Sequence, residues 1–198
     1  MPEQDAMIPR EQAEGEVALV VERLALLHLS YAQTLFEELG EERGRELTVR
    51  AIREYGRKIA AKARKGAEAQ GLPLTPENYD AGGPNWPSLG ACDRVERVVV
   101  EADTVHPADG VHPGELRTRI YGCGLAKTAQ AQGQEALGRL YCLIDVAKMM
   151  AYNPDYKVIH LRAEPDGDPY CELATRRTTA QEREDFGADG DWSYIDQG

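Results

Sequence analysis

From Gln134 to Ala151 the chain carries apolar residues on almost every side of a helix, and a helix of that kind has to be buried. At 3.6 residues per turn, Gly138, Cys142, Asp145, Met149 and Tyr152 fall on one stripe, and Leu137, Leu140, Tyr141 and Ile144 on a second. Leu143, Val146 and Met150 leave little polar surface elsewhere. The exception is Asp145, which neighbours Cys142 at i and i+3. A carboxylate on a buried helix must be paired, hydrogen-bonded or protonated, because an uncompensated buried charge is strongly unfavourable. The remainder of the fold therefore has to cover this helix and give Asp145 partners.

Helical spacing dominates the first third of the chain. Residues 1–13 read as a flexible leader, after which Val17, Val20, Val21, Leu24, Leu27, His28, Tyr31 and Leu35 recur on one face as far as Gly40. His28 lies on that apolar face and reads first as a core histidine with its polar atoms satisfied, second as a ligand or base. A second helix runs from Glu41 to about Ala69, acidic at its start and basic at its end, as the helix dipole favours; Lys58, Lys62 and their basic neighbours read as a solvated face. Residues 71–93 contain four prolines and read as a long loop, in which Tyr79 and Trp86 either anchor to the core or cover a pocket. Cys92, at its end, reads as a bystander.

Strand patterns follow at 94–102 and 115–121, and again after the buried helix at 156–162 and 170–175. The last two form a hairpin that puts Cys171, Leu173 and Thr175 on one face. His106 and His112, each followed by proline, lie in a turn-rich connection without further ligands at metal-site spacing and read as surface residues. The implied class is α+β: N-terminal helices, then an antiparallel sheet of about four strands with an inserted helical pair packed on it. Residues 14–176 form one domain, and 177–198 an acidic tail that is either disordered or docked by Trp192 and Tyr194.

A net charge of −11 argues against a nucleic-acid partner, which normally requires a basic face. No run approaches the roughly 20 apolar residues of a membrane span, and the first residues lack a secretory pattern, so a cytoplasmic protein is expected. Its four cysteines are then expected to stay reduced and to be structural, catalytic or metal-binding.

Three of those thiols lie between Arg119 and Leu173, and a compact domain can bring Cys123, Cys142 and Cys171 together with Asp145. Two chemistries fit. In one, a cysteine attacks an electrophilic carbon while Asp145 takes its proton or orients the substrate, and Arg119 clamps a substrate carboxylate. Cys171, beside a Gly-Asp turn, is the expected nucleophile because Cys142 sits mid-helix among apolar neighbours. Cys123, at a helix start, is the next choice. In the other, Cys123, Cys142, Cys171 and Asp145 bind a thiophilic metal, with zinc the leading candidate. Buried cysteines that only pack remain the plain alternative.

The order of Cys123, Leu137-Gly138, YCLID at 141–145, Tyr152-Asn153-Pro154, Gly167-Asp168 and Cys171 resembles the L-2-amino-thiazoline-4-carboxylic acid hydrolase family, and LGEERGRELTVRAIREYG at 39–56 is similar to a helix near the start of many members. The resemblance spans about Leu39 to Leu173. It implies a hydrolase opening the C–N bond of a small cyclic amidine, with no cofactor, and it supports all three cysteine positions without ranking them. Tyr141 and Asn153 are expected to join Arg119 in binding substrate. A non-catalytic small-molecule-binding domain is the remaining reading, and a homo-oligomer is compatible with any of the three.

Overall fold

The structure is a computed structural model that describes residues 8–83, 89–100, 115–188 and 191–196. Two long helices, α1 (Arg10–Leu39) and α2 (Glu41–Ala69), form an antiparallel hairpin at its start. Gly40 ends α1 with a positive φ of 77°, a conformation an L side chain resists, and its N–H returns to Phe36 O at 3.0 Å. Helix α1 begins within the segment read as a leader. His28 is the satisfied core histidine: its Nε2 meets Leu137 O at 2.9 Å.

Strands β1 (Arg94–Val99), β2 (Leu116–Tyr121), β3 (Tyr156–Arg162) and β4 (Cys171–Arg177) form one antiparallel sheet in the order β1-β2-β4-β3. Helices α3 (Gly124–Ala131), α4 (Glu135–Cys142) and α5 (Ile144–Tyr152) are inserted between β2 and β3 and complete the expected α+β architecture. Register assigns the two faces of the sheet. Ile120 stands opposite Cys171 and Thr118 opposite Leu173, while Leu173 also faces His160. Tyr156 and Val158 pack against Met149 and Tyr152, so this set, which alternates with its neighbours along each strand, is the helix-facing surface. The opposite surface combines buried Ile159 and Ala174 with an ionic cluster, in which Glu172 is buried between Arg117 at 3.4 Å and Arg119 at 2.9 Å.

The main core joins Val49 and Ile52 of α2 to Leu140, Ile144, Val146 and Met150. Close approach of α2 to α5 depends on Gly56, where an added Cβ would lie 2.6 Å from that of Ala147. The long loop contains a 3₁₀ turn, Pro76–Gly82, whose Tyr79 is buried edge-on against Tyr152. Trp86, His106 and His112 lie outside the described residues.

The acidic C-terminal stretch is part of the fold. Helix α6 (Ala180–Gly187) starts with a reciprocal capping box between Thr179 and Glu182, and a 3₁₀ turn follows at Ser193–Asp196. Trp192 is fully buried, edge-on to Phe186, and Ile195 joins the same core, whereas Tyr194 stays exposed. Truncation of Trp192 to Ala is expected to cost about 3–5 kcal/mol, as for other large core aromatics. Urea denaturation checks this, and a loss below about 1 kcal/mol would mean that the tail is not part of the cooperative unit.

Candidate functional site

The single helix expected over 134–151 is broken at Leu143, whose N–H bonds to Leu140 O at 3.3 Å, one residue short of the α-helical partner. The break leaves Cys142 at the end of α4 and puts Asp145 in the first turn of α5. A carboxylate is favoured there by the free N–H groups and the dipole.

Both oxygens of Asp145 are engaged. Lys148 Nζ lies 2.5 Å from Oδ1, and His160 Nε2 of β3 lies 3.5 Å from Oδ2. His160 is held from behind by Asp196, whose Oδ1 accepts the His160 backbone N–H and lies 2.9 Å from Nδ1. Asp196 Oδ2 accepts from Arg139 Nη2 at 2.6 Å, and Arg139 is tied in turn to Asp166 at 2.8 Å. Burial disfavours the charge on Asp145, but Lys148 and Arg139, joined by His160 when its ring is protonated, outweigh it and hold the carboxyl below its ordinary range. Its side chain remains one-fifth exposed, while those of His160 and Asp196 are almost wholly buried.

The three thiols lie close enough to one another and to Asp145 for their charges to interact. Burial raises all three. Cys142 is pushed well up, with Arg139 opposing the shift only in part. Cys171 is pushed up to about 12, despite the Glu164 N–H directed at its sulfur at 3.4 Å. Cys123 is raised as well, but the N–H groups of Ala126 and Leu125 at the start of α3 act in the opposite direction. Cys123 is the N-cap residue of α3 and is only partly covered. Its backbone is fixed by Glu164, whose carboxylate accepts from Gly122 N at 2.6 Å and Cys123 N at 2.8 Å. Gly122 has a φ of 64°, and an added Cβ would meet Asp93, so the turn presenting Cys123 requires glycine.

The other expected site residues divide. Arg119 points away from the thiols: it shares the ionic face with Glu172 and stacks over Tyr170, so the clamp expected of it is not available in this position. Asn153 is a helix-end residue whose amide is spent on Leu74 O and Asp155 N. Tyr141 is buried, bonded to Tyr55 and edge-on to His28. Cys171 is less accessible than expected from its place beside the turn, since Cys142 is the more exposed of the two. Sequence reasoning missed His160, Lys148, Glu164 and Asp196. For His160 a signal was present, a titratable residue inside the apolar run VIHLR; for Asp196, in a polar terminal stretch, there was none.

A cavity of about 340 Å³ is lined by Tyr55, Lys58, Ile59, Lys62, Ala63 and Tyr79, and neither Asp145 nor any of the three thiols is among its described lining. Tyr79 connects the cavity to this centre, because its hydroxyl is near enough to Asp145 to feel that charge. Among the described residues no group of three His, Cys, Asp or Glu side chains is arranged to hold a metal ion, so the geometry lends no support to the zinc reading. Nor, among them, is any helix long and apolar enough to cross a membrane.

Residues 20–174 match the family described as L-2-amino-thiazoline-4-carboxylic acid hydrolase. No curated protein matches the chain. Among solved structures, the chain is similar to the phenol-responsive sensory domain of the transcription activator PoxR, crystallised with phenol. Identity is 17%, the TM-score is 0.52, and the alignment covers 85% of this chain and 80% of that one. At that identity the likeness concerns the fold.

Asp145→Asn keeps the shape of the side chain and removes its charge. A carboxyl held below its unfolded value stabilises the fold above about pH 4, and that contribution is lost as the pH falls through the lowered folded value. The variant is expected to fold but to be about 1–3 kcal/mol less stable at about pH 7, with the gap closing towards about pH 3. Denaturant titrations at both values check this; a gap that persists in acid would mean that packing, not charge, is what Asp145 contributes.

Proposed function

We propose that the chain, which belongs to the L-2-amino-thiazoline-4-carboxylic acid hydrolase family, opens a C–N bond of a small cyclic amidine bearing a carboxylate, with Cys123 as its nucleophile. The observation that carries this choice is the placement of Cys123. It caps α3, has two helix N–H groups acting on its sulfur, is partly open, and lies in the field of Asp145. Cys171 and Cys142 border the same centre with higher barriers to ionisation and line the site in this reading.

The reaction proceeds in two stages. Asp145 receives the Cys123 proton, and the sulfur bonds to the amidine carbon as the C=N π pair moves to nitrogen. The ring C–N bond then breaks as the exocyclic nitrogen lone pair forms a new C=N bond, and the ring nitrogen leaves as an amine carrying the thiol proton and one proton released by the exocyclic amino group. Water adds to the carbon still attached to Cys123, the C–S bond to the enzyme breaks, and the thiol is restored. One water is consumed and nothing is oxidised or reduced. Lys58 and Lys62, on the wall of the cavity, take over the carboxylate-binding role first given to Arg119, and Tyr55 and Tyr79 flank the ring. A reducing, cytoplasmic setting is part of this reading, in keeping with four cysteines in the thiol state.

The second reading is a sensor that binds a small aromatic or heterocyclic molecule without turning it over, favoured by the likeness to a phenol-responsive domain. Calorimetry with 2-amino-thiazoline-4-carboxylate, run beside a product assay, separates the two: binding without product selects the sensor.

Two outcomes are expected for the hydrolase. Iodoacetamide should label Cys123 faster than Cys171 or Cys92, as mapped by peptide mass, and the cyclic amidine should protect it. Fast, ligand-protected labelling of Cys171 would return the nucleophile to that residue. Replacing both Lys58 and Lys62 with Met should raise KM about tenfold while kcat stays within about twofold, as for loss of ground-state binding. An unchanged KM would exclude the cavity as the carboxylate site.

A further inference from the structure

A neutral imidazole has one N–H, and His160 stands between two carboxylates. Whichever ring nitrogen holds the proton determines what His160 can do for Asp145. With the proton on Nε2, the ring donates to Asp145 and can receive nothing from it. With the proton on Nδ1, Nε2 presents a lone pair to Asp145 Oδ2 at 3.5 Å. Asp196 decides between them. Its Oδ1 accepts the His160 backbone N–H at 2.9 Å and so cannot be replaced there by a donor, and the same oxygen lies 2.9 Å from Nδ1. Its other oxygen is committed to Arg139, and the residue is only 2% exposed.

We infer that Asp196, which lies outside the family-matched residues 20–174, is a positioning residue that fixes His160 as the Nδ1–H tautomer, and that Asp145, His160 and Asp196 form a proton relay. The inference rests on the cysteine-hydrolase reading for its catalytic consequence and on geometry alone for the tautomer. The proton leaves Cys123 for Asp145 Oδ2 and passes to His160 Nε2. The ring becomes an imidazolium whose Nδ1–H stays on Asp196, and Asp145 returns to its charged form. The reverse transfer protonates the leaving nitrogen. The second acceptor is needed because Asp145 is held below the ordinary carboxyl range while the Cys123 thiol is raised.

The test combines a tautomer measurement with kinetics. In ¹⁵N-labelled wild-type protein at mildly alkaline pH, where imidazoles are neutral, the ring shifts of His160 should report Nδ1–H; Nε2–H would overturn the inference. Asp196→Asn brings an N–H₂ group into conflict with either Arg139 or the His160 N–H and should abolish the single tautomer. It should lower kcat for 2-amino-thiazoline-4-carboxylate on the order of 10²-fold, with KM within about threefold. A folded variant that keeps wild-type kcat would overturn the inference. If the variant does not fold, the wild-type tautomer still decides. If the wild type shows Nδ1–H and loses it on Asp196→Asn, but no variant or wild-type protein turns over the amidine, the positioning role stands and the hydrolase reading fails.

Discussion

The charge on Asp145 is the constraint around which the structure closes. It sits on a helix that packs against α2 on one side and the sheet on the other, where an isolated carboxylate would be strongly unfavourable. Three parts of the chain resolve this. The break at Leu143 gives Asp145 a helix N-terminus, Lys148 supplies a cation one turn on, and β3 brings His160 from the sheet, a second cation only when its ring is doubly protonated. The last of these depends on the C-terminal stretch, since Asp196 reaches His160 only because Trp192 and Ile195 anchor that stretch in the core. Burial of the tail and pairing within this centre therefore share the same interactions.

The sheet keeps two electrostatic environments apart. Its ionic face neutralises Glu172 with Arg117 and Arg119, away from the thiols. Its other face meets the helices with Cys171, Leu173 and His160, and there the charges are few and individually matched. Cys123 enters from the edge of this region, on a turn that Gly122 makes possible and Glu164 holds. A thiol at a helix start, two further thiols, and a carboxylate with a cation and an imidazole on its two oxygens form an arrangement with the parts for nucleophilic attack and proton transfer.

Much of the fold was legible because hydrophobic spacing reports directly on it. The alternation in β2 and β4, the existence of α1 and the burial of the Asp145 helix all follow from side-chain period, but the inner face of α1 differs from the expected stripe: Val21, Ala25, Leu29 and Ala32 are buried, whereas Val20, Leu27 and Tyr31 are exposed. What spacing does not report is pairing between distant segments. Arg119 was legible as a strand residue near Cys123, but its face depends on the register with Glu172. The α4–α5 break was hidden because Leu143 has no helix-breaking character. For the tail, spacing left disorder and docking by Trp192 and Tyr194 both open, because its apolar residues are too few to make an element locally; Trp192 and Ile195 dock it, and Tyr194 stays exposed. His160 acquired its meaning from Asp145 and Asp196, residues respectively 15 positions before and 36 after it.

The central claim is that Cys123 forms a covalent bond to the substrate, and intact-mass spectrometry of acid-quenched reactions with 2-amino-thiazoline-4-carboxylate tests it most directly. The account requires a transient adduct carrying the mass of the amidine, located to the peptide containing Cys123 and absent from Cys123→Ser. Turnover that persists in Cys123→Ser, or an adduct that maps to Cys171 or Cys142, would contradict it.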